Sequence, residues 1–292
     1  MIYAFMQAHT EHPVARWASF FGVSTSCYYT WQQVRPGRQS QGEAYADKVE
    51  EIFEGSGGTY GADRVAGEMR KRGYKASFTK IKRIMTERGL YSVHLRYQRS
   101  LTDSRGARDN ECENLLRDVE VNTPFQALSS DITYIPTAEG FEYTCTIRDI
   151  LSGIVLAERT APRMRKELVT ETIRSASKSW HLHKGTVFHS DRGSQYTSAA
   201  VREQLRKLGL RQSFSRTGKP GDNTWSESFF SILKKELIHP IGRFRTSEEA
   251  RQGAFSYIHG FYNTQRIQKR LGYLSPIGWL KRYHDSTLGI TA

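Results

Sequence analysis

Cysteine is nearly absent: three residues in 292, at Cys27, Cys112 and Cys145, with no pair spaced as CxxC. A scattered, odd-numbered set excludes a disulfide framework and a zinc ribbon and fits a reducing compartment. Long apolar runs are also missing. None approaches the roughly eighteen residues that a membrane span requires, and the N-terminal stretch MIYAFMQAHTEHPVARW lacks the apolar core and small-residue cleavage site of a secretory leader. Acid is in deficit, with 30 Asp and Glu against 43 Lys and Arg and a formal charge of +13. That balance favours a polyanionic partner, nucleic acid first, although a merely solvated basic surface gives the same count. No GxxxxGK[ST], GxSxG, HExxH or adjacent cysteine–histidine set occurs, so several common chemistries lack their residues. His181 and His183 alternate in WHLHKG without further ligands nearby and read as surface or DNA-facing. No internal repeat or low-complexity tract breaks the chain. Its length suits two or three modest domains with a true core.

What is present falls into four stretches. Residues 1–35 contain two short helices over 13–33 with a turn at Gly22-Val23-Ser24, where Ser24 or Thr25 is placed to cap the second. This resembles a helix-turn-helix; a helical pair that simply packs on a neighbour reads equally well. A polar linker, VRPGRQSQGE (34–43), precedes a basic helical domain at 44–92. Three helices are expected there, near 44–54, 61–73 and 78–89, with Gly73 and Gly89 as stops. Val65, Met69, Ile81, Ile84 and Met85 supply the apolar stripe. Arg64, Arg70, Lys80 and Arg83, among other basic residues, supply a surface suited to phosphate or to solvent alone. Residues 93–123 are polar and weakly periodic and read as a linker that orders on DNA.

From 124 to about 285 the pattern changes. SSDITYIP, FEYTCTIRDI and GIVLAERTA read as strands joined by short turns, hence an antiparallel meander. A helix at 165–180, the strand GTVFHSD, the helix SAAVREQLRKLG, the short strand RQSFSR and a helix through WSESFFSILKKEL follow. The order βββαβαβα predicts an α/β fold: a mixed five-stranded sheet of ribonuclease H-like type with flanking helices. A long helix to about 263 and a basic tail complete the chain.

Three acids stand out. Asp131 lies on the first strand, sharing a face with Ser129 and Thr133. Asp191 ends an apolar strand sixty positions on, where ligands gather in open α/β sheets. Glu227 follows after thirty-five intervening residues, on a helix whose face also carries Asn223, Ser231 and Lys234. Two divalent ions need hard carboxylate oxygens converging from several elements, and these residues offer that set. Plainer readings stand beside each: an exposed edge-strand acid for Asp131, a turn-former in Asp-Arg-Gly-Ser for Asp191, a capping box Thr224-Trp225-Ser226-Glu227 for Glu227. Asp222 and Glu236 are rival third ligands; Asp222 suits a cap or turn, and Glu236 points to another face.

Taken in order, SSDITYI, FHSDRGSQYTS, GDNTWSESFFSILKKEL and YNTQRIQKRLGYLSP closely resemble the catalytic, second-reading-frame (OrfB) subunit of the insertion-sequence-three transposases. GTYGADRVAGEMRKRGYKASFTKIKRIMTERGL and GVSTSCYYTW resemble that family's N-terminal segments, so the likeness spans nearly the whole chain. Two positions depart from the usual pattern: Leu128 stands where Trp is common and Gln268 where His is common. The resemblance implies a retroviral-integrase-like core in which Asp131, Asp191 and Glu227 are catalytic and bind two Mg²⁺ ions, with Mn²⁺ able to substitute. Asp149 matches an acid often present but lies outside that triad. The implied activity is metal-dependent cleavage and transesterification of DNA at insertion-sequence ends, through a circular intermediate that later integrates. The implied partners are terminal repeats, target DNA, a second copy of the chain, and the upstream-reading-frame product by fusion or association. The expected location is the bacterial cytoplasm, on the nucleoid. Lys234, Lys235, Arg266 and Arg270 are candidate DNA contacts beside Arg64, Arg70, Lys80 and Arg83. A DNA-binding regulator with an inert core of the same fold is the alternative.

Overall fold

The computed structural model describes residues 2–93, 114–117, 119–216 and 224–288, with backbone alone at 35, 36, 38 and 39. Most of the expected 93–123 linker, with Cys112, Asp222 and Asn223, lies outside the described residues. The chain forms two compact units, residues 1–91 and 92–292. No described helix is long and apolar enough to cross a membrane.

The first unit is helical: α1 (Ile2–Ala8), α2 (Val14–Phe21), α3 (Thr25–Gly55), α4 (Ala62–Lys71) and α5 (Phe78–Glu87). Gly22 ends α2 in the left-handed region (φ 64°), as the expected turn requires. Ser24 stands at the N-cap place of α3 without a side-chain capping bond. The sequence reading contained no helix at Ile2–Ala8, whose Tyr3 and Phe5 meet Tyr28 and Trp17. The break expected at 34–43 is also absent, because α3 runs through it. Its two ends are anchored, Tyr28 in the aromatic cluster and Val49 and Ile52 in the core, and that packing overrides the weak propensity between them. Val65, Met69, Ile81, Ile84 and Met85 are all buried, as their spacing predicts. Ser77 caps α5 by accepting from the Lys80 amide (3.3 Å), and Gly73 and Gly89 follow α4 and α5 with positive φ.

The second unit is the mixed sheet. β1 (Ala127–Thr137), β2 (Gly140–Asp149) and β3 (Val155–Ala161) form the meander, then α6 (Lys166–Ser179), β4 (Val187–Ser190), α7 (Ala199–Lys207) and β5 (Arg211–Phe214) alternate. The sheet order is β3-β2-β1-β4-β5, with β4 and β5 parallel to β1. The main core lies between the sheet and α6 and α7, around Leu128, Ile147, Val169, Ile173, Phe188 and Val201. Leu128, at the position where the resemblance leads one to expect Trp, is fully buried there. Just before β1, Leu116 packs with Ala127, Ile150 and Val187, so the end of the expected linker belongs to the core.

α8 (Thr224–Leu233) passes into a π-helical segment, Lys234–Ile238, and the short α9 (His239–Ile241). α10 (Ser247–Phe255) likewise continues as a π segment, Ser256–Tyr262. The expected basic tail is instead a 3₁₀ turn (Lys269–Leu271) and a helix, α11 (Pro276–Thr287). Ser275 caps α11 by accepting from the Gly278 amide, Pro276 opens it, and Leu280 is buried in the main core.

The YNTQRI stretch works inside the fold. Asn263 Oδ1 accepts from the Val155 amide (2.9 Å) and its Nδ2 donates to the Val155 carbonyl (2.8 Å), closing the outer edge of β3. Arg266 is 1% exposed and forks onto Glu236, with Nη2–Oε1 at 2.7 Å and Nε–Oε2 at 2.8 Å. Arg266 therefore does not meet DNA as its sequence suggested. Gln268 donates to the Tyr262 hydroxyl and accepts from Arg270 Nε. Arg270 remains exposed as a residue yet aims Nη1 at the Leu151 carbonyl (2.7 Å).

Candidate active site

β1 and β4 pair only from Ala127 to Ser129, against Val187 to His189. Beyond Ser129 they part. Further along, the Phe244 segment bridges the same edge of β1 at Pro136–Ala138. Among the described residues, no strand pairs with Ser130–Ile135 on that edge, which leaves a gap in the sheet. Asp131 lies two residues past the last β1–β4 pair, and Asp191 directly follows β4. This is the crevice at diverging strand ends where open α/β sheets place ligands.

The helix carrying Glu227 is held over this place from below. Arg148 on β2 stands opposite Ser129 in the sheet register. It is buried, donates through Nη1 to the Trp225 carbonyl and through Nη2 to the Tyr262 hydroxyl (3.2 Å), and lies 4.8 Å from the Phe229 ring centre. Trp225 also meets the ring of His189 edge-on, 6.2 Å between centres. His189 is fixed in turn by Ser213 (2.9 Å) and Ser215 (3.2 Å) on and beyond β5. The first turn of α8 is thereby tied to β2 and β4 at once, and Glu227 lies in that turn. The sequence reading missed Arg148; a lone cation inside the strand FEYTCTIRDI was the available signal.

Asp191 and Glu227 are both near enough to Asp131 for their negative charge to be felt there. Burial first, then repulsion from Asp191 and Glu227, push the Asp131 carboxyl up to about 7. Its Oδ1 accepts from the Ile132 amide (2.7 Å), and Lys234 supplies a partly offsetting positive charge. The Asp191 carboxyl is also raised by burial, although the residue as a whole keeps much of its surface open; the Gly193 amide on Oδ1 (3.0 Å) pulls the other way. Glu227 is exposed and its carboxyl is raised by partial burial. Among the described residues no three Asp, Glu, His or Cys side chains lie close enough together to hold a metal ion as they stand. Two hydroxyls at the site, Ser129 Oγ and Ser226 Oγ, are buried without a hydrogen-bond partner.

The rival acids are accounted for. Asp149 is fully buried; it accepts from the Phe125 amide (2.8 Å) and from the amide and hydroxyl of Ser152 (2.7 and 2.6 Å). Glu236 is taken by Arg266 and by the Tyr257 hydroxyl (2.6 Å). The π turn after Leu233 directs Glu236 there while Lys234 stays at the site, with its ammonium 5.0 Å from the Tyr134 ring centre.

Of the basic candidates in the first unit, Arg70, Lys80 and Arg83 are exposed. Arg64 is half-buried and donates to the Thr59 carbonyl. Arg72 and Arg88 tie α4 and α5 to acids on α3 and serve the fold. Arg70, Tyr74, Lys75, Ser77 and Lys80 line a surface hollow of about 740 Å³ at the turn between α4 and α5.

Family models agree with this division. Residues 121–220 and 227–283 each match a model described as an integrase core domain, and residues 41–99 match an HTH-like domain. The HTH-like match covers the basic helices expected at 44–92. The chain is 34% identical over 244 residues to the transposase of insertion sequence element IS904 from Lactococcus lactis, covering 83% of this chain and 96% of the relative. It is 33% identical over 281 residues to transposase InsF of insertion sequence IS3A from Escherichia coli K12, covering 94% and 97%. Among solved structures, the catalytic core domain of BIV integrase aligns at 19% identity and a TM-score of 0.43 over 56% of this chain and 99% of its own. With these relatives matched nearly end to end, the chain belongs to the family of insertion-sequence DNA transposases built on an integrase core.

Proposed function

We propose that Asp131, Asp191 and Glu227 are the catalytic carboxylates of this transposase and that together they hold two Mg²⁺ ions, with Mn²⁺ as a substitute. The observation that carries this reading is convergence: Asp191 at the end of β4 and Glu227 on α8 both bring negative charge to the buried Asp131 carboxyl on β1. The donor set is all hard oxygen, which suits these ions. Held by these carboxylates, the ions would supply Lewis acidity for activating the attacking water or 3′-hydroxyl and for offsetting charge on the leaving 3′-oxygen. Arg148 and His189 hold the first turn of α8, and with it Glu227, against the strands. Lys234 and Lys235 contact phosphates near the reacting bond. Arg64, Arg70, Lys80 and Arg83 bind the duplex through its backbone, so that binding weakens steeply with salt.

The DNA is the terminal repeats of the element and its target. Two ends must be brought together, so a second copy of the chain takes part, and the upstream-reading-frame product joins by fusion or association. The reaction takes place in the bacterial cytoplasm, on the nucleoid. The test is strand transfer with purified protein, Mg²⁺ or Mn²⁺, and labelled DNA carrying the element's ends. Joined product is expected from the wild type and none from Asp131→Asn, Asp191→Ala or Glu227→Gln, while salt-dependent DNA binding survives in all three. Product from Glu227→Gln at the wild-type rate refutes its assignment.

A further inference from the structure

Tyr134 and Phe141 are large aromatics that the fold leaves in the open, 51% and 56% exposed. They are not scattered: their rings meet edge to face, 5.3 Å between centres, across the β1–β2 hairpin. The pair stands beside the stretch of β1 that no strand covers; Tyr134 follows Asp131 by three positions, so its ring lies on the opposite face of the strand, at that open edge. Lys234 links the two places, because its ammonium lies 5.0 Å from the Tyr134 ring centre and also supplies the positive charge felt by Asp131. An exposed aromatic step with a cation beside it, next to a phosphodiester site, has the composition of a single-strand binding surface: a π-face for a base and a charge for its phosphate.

We infer that Tyr134 and Phe141 form a stacking site for one unpaired nucleobase at the reacting DNA end, with Lys234 taking the adjoining phosphate. This rests on the carboxylate site proposed above. Three residues of strand span about 10 Å and the change of face adds to that, while stacked nucleotides rise about 3.4 Å each, so the base lies more than about three nucleotides from the bond that is cut, on a strand that passes round the open edge of β1. The base leaves the duplex stack to reach Tyr134 at the open edge of β1, and Lys234 connects that place with the carboxylate side. The basic chain and Lys234 select a nucleic-acid occupant over an apolar protein surface.

The test uses the full chain, without divalent ion, and labelled duplexes ending in the element's terminal repeat. The duplexes are intact or carry one abasic residue at successive positions around the cleaved bond. Tyr134→Ala is expected to bind the intact end about tenfold more weakly, Phe141→Ala less so, and Tyr134→Phe nearly as well as the wild type. On the duplex abasic at one particular position, wild type and Tyr134→Ala bind alike, since the stacking partner is already gone. An equal loss at every abasic position, or no loss at all, overturns the inference. Reduced self-association in Tyr134→Ala with unchanged DNA affinity assigns the patch to a subunit contact and also overturns it. Position-specific coupling together with strand transfer by Glu227→Gln supports the stacking site while refuting the carboxylate assignment. Both side chains are exposed, so unchanged far-ultraviolet circular dichroism is expected of the variants.

Discussion

Arg266→Met separates two meanings of a basic residue. In YNTQRIQKR the arginine looks like a DNA contact, whereas in the fold it is 1% exposed and its fork is filled by Glu236, whose side chain is also fully buried. Removing the guanidinium takes the forked cation away from a carboxylate buried in the interior, to which the Tyr257 hydroxyl still donates. Breaking one side of such a pair costs about 3–5 kcal/mol. Glu236→Leu is expected to cost a similar amount by leaving the arginine buried without its carboxylate. Replacing both at once, Arg266→Met with Glu236→Leu, removes both buried charges, and its cost is expected to fall well below the sum of the singles, a coupling of about 2 kcal/mol or more. Urea unfolding followed by circular dichroism reads this directly, as a midpoint lower by about 1 M or more in each single variant. DNA affinity at fixed salt is expected to stay within about twofold where the variant remains folded, a difference of well under 1 kcal/mol. An unchanged midpoint together with a tenfold loss of DNA binding would refute the structural assignment of Arg266.

Asp131→Asn is expected to stabilise the metal-free protein at pH 8 and to leave it unchanged at pH 4. The folded carboxyl titrates at about 7, above its unfolded value of about 3.9, so the native state holds the proton more tightly and stability falls as pH rises from about 4 through 7. Three pH units set a ceiling on the order of 4 kcal/mol; a thermal melting difference equal at both pH values would contradict this. Arg148→Met is expected to lose about 1–3 kcal/mol of stability, the cost of removing a buried guanidinium's hydrogen bonds to Trp225, Gly153 and Tyr262. It should also shift the Mg²⁺ concentration needed for half-maximal strand transfer upward, with Arg148→Lys between it and the wild type; a wild-type Mg²⁺ midpoint in Arg148→Met would remove its positioning role. Gly153→Ala meets two obstacles, a left-handed backbone (φ +72°) and a Cβ that would collide with Arg270 Nη2. It is expected to cost about 1–2 kcal/mol from the backbone alone, and adding Arg270→Ala should recover the steric part but not that remainder, as read in urea midpoints.

Much of the second unit is legible because its strands alternate or are uniformly apolar and its turns are short. The order βββαβαβα and the places of Asp131 and Asp191 follow from local pattern. α3 is less legible. VRPGRQSQGE carries Pro36 and Gly37, both helix-breaking by propensity, and only the packing of the flanking segments carries the helix across. The π turn at Lys234–Ile238 has no local signature at all, yet it decides where Glu236 goes. α11 was legible in principle, because Ser275-Pro276 is a helix start, but the basic residues after it drew attention to charge instead of to Leu280.

Arg266 and Arg148 mark the same limit from two sides. A cation's sequence neighbourhood says whether it is surrounded by other cations, not whether a partner waits thirty residues away. For Arg266 a clue existed: Glu236 sat on the wrong face of α8 to serve the site, and an acid turned toward the interior requires a buried cation or proton. For Arg148 the clue was its place inside an apolar strand, where a charge persists only if the fold gives it acceptors. The fold supplies carbonyls at Gly153 and Trp225 and the Tyr262 hydroxyl. Among the described residues no carboxylate pairs with Arg148, and such a partner would have anchored the guanidinium by itself and made the α8 carbonyl dispensable. Arg148 instead depends on the first turn of α8 for its satisfaction, and that turn depends on Arg148 for its place. Glu227 is therefore positioned by β2, the strand that contributes none of the three acids.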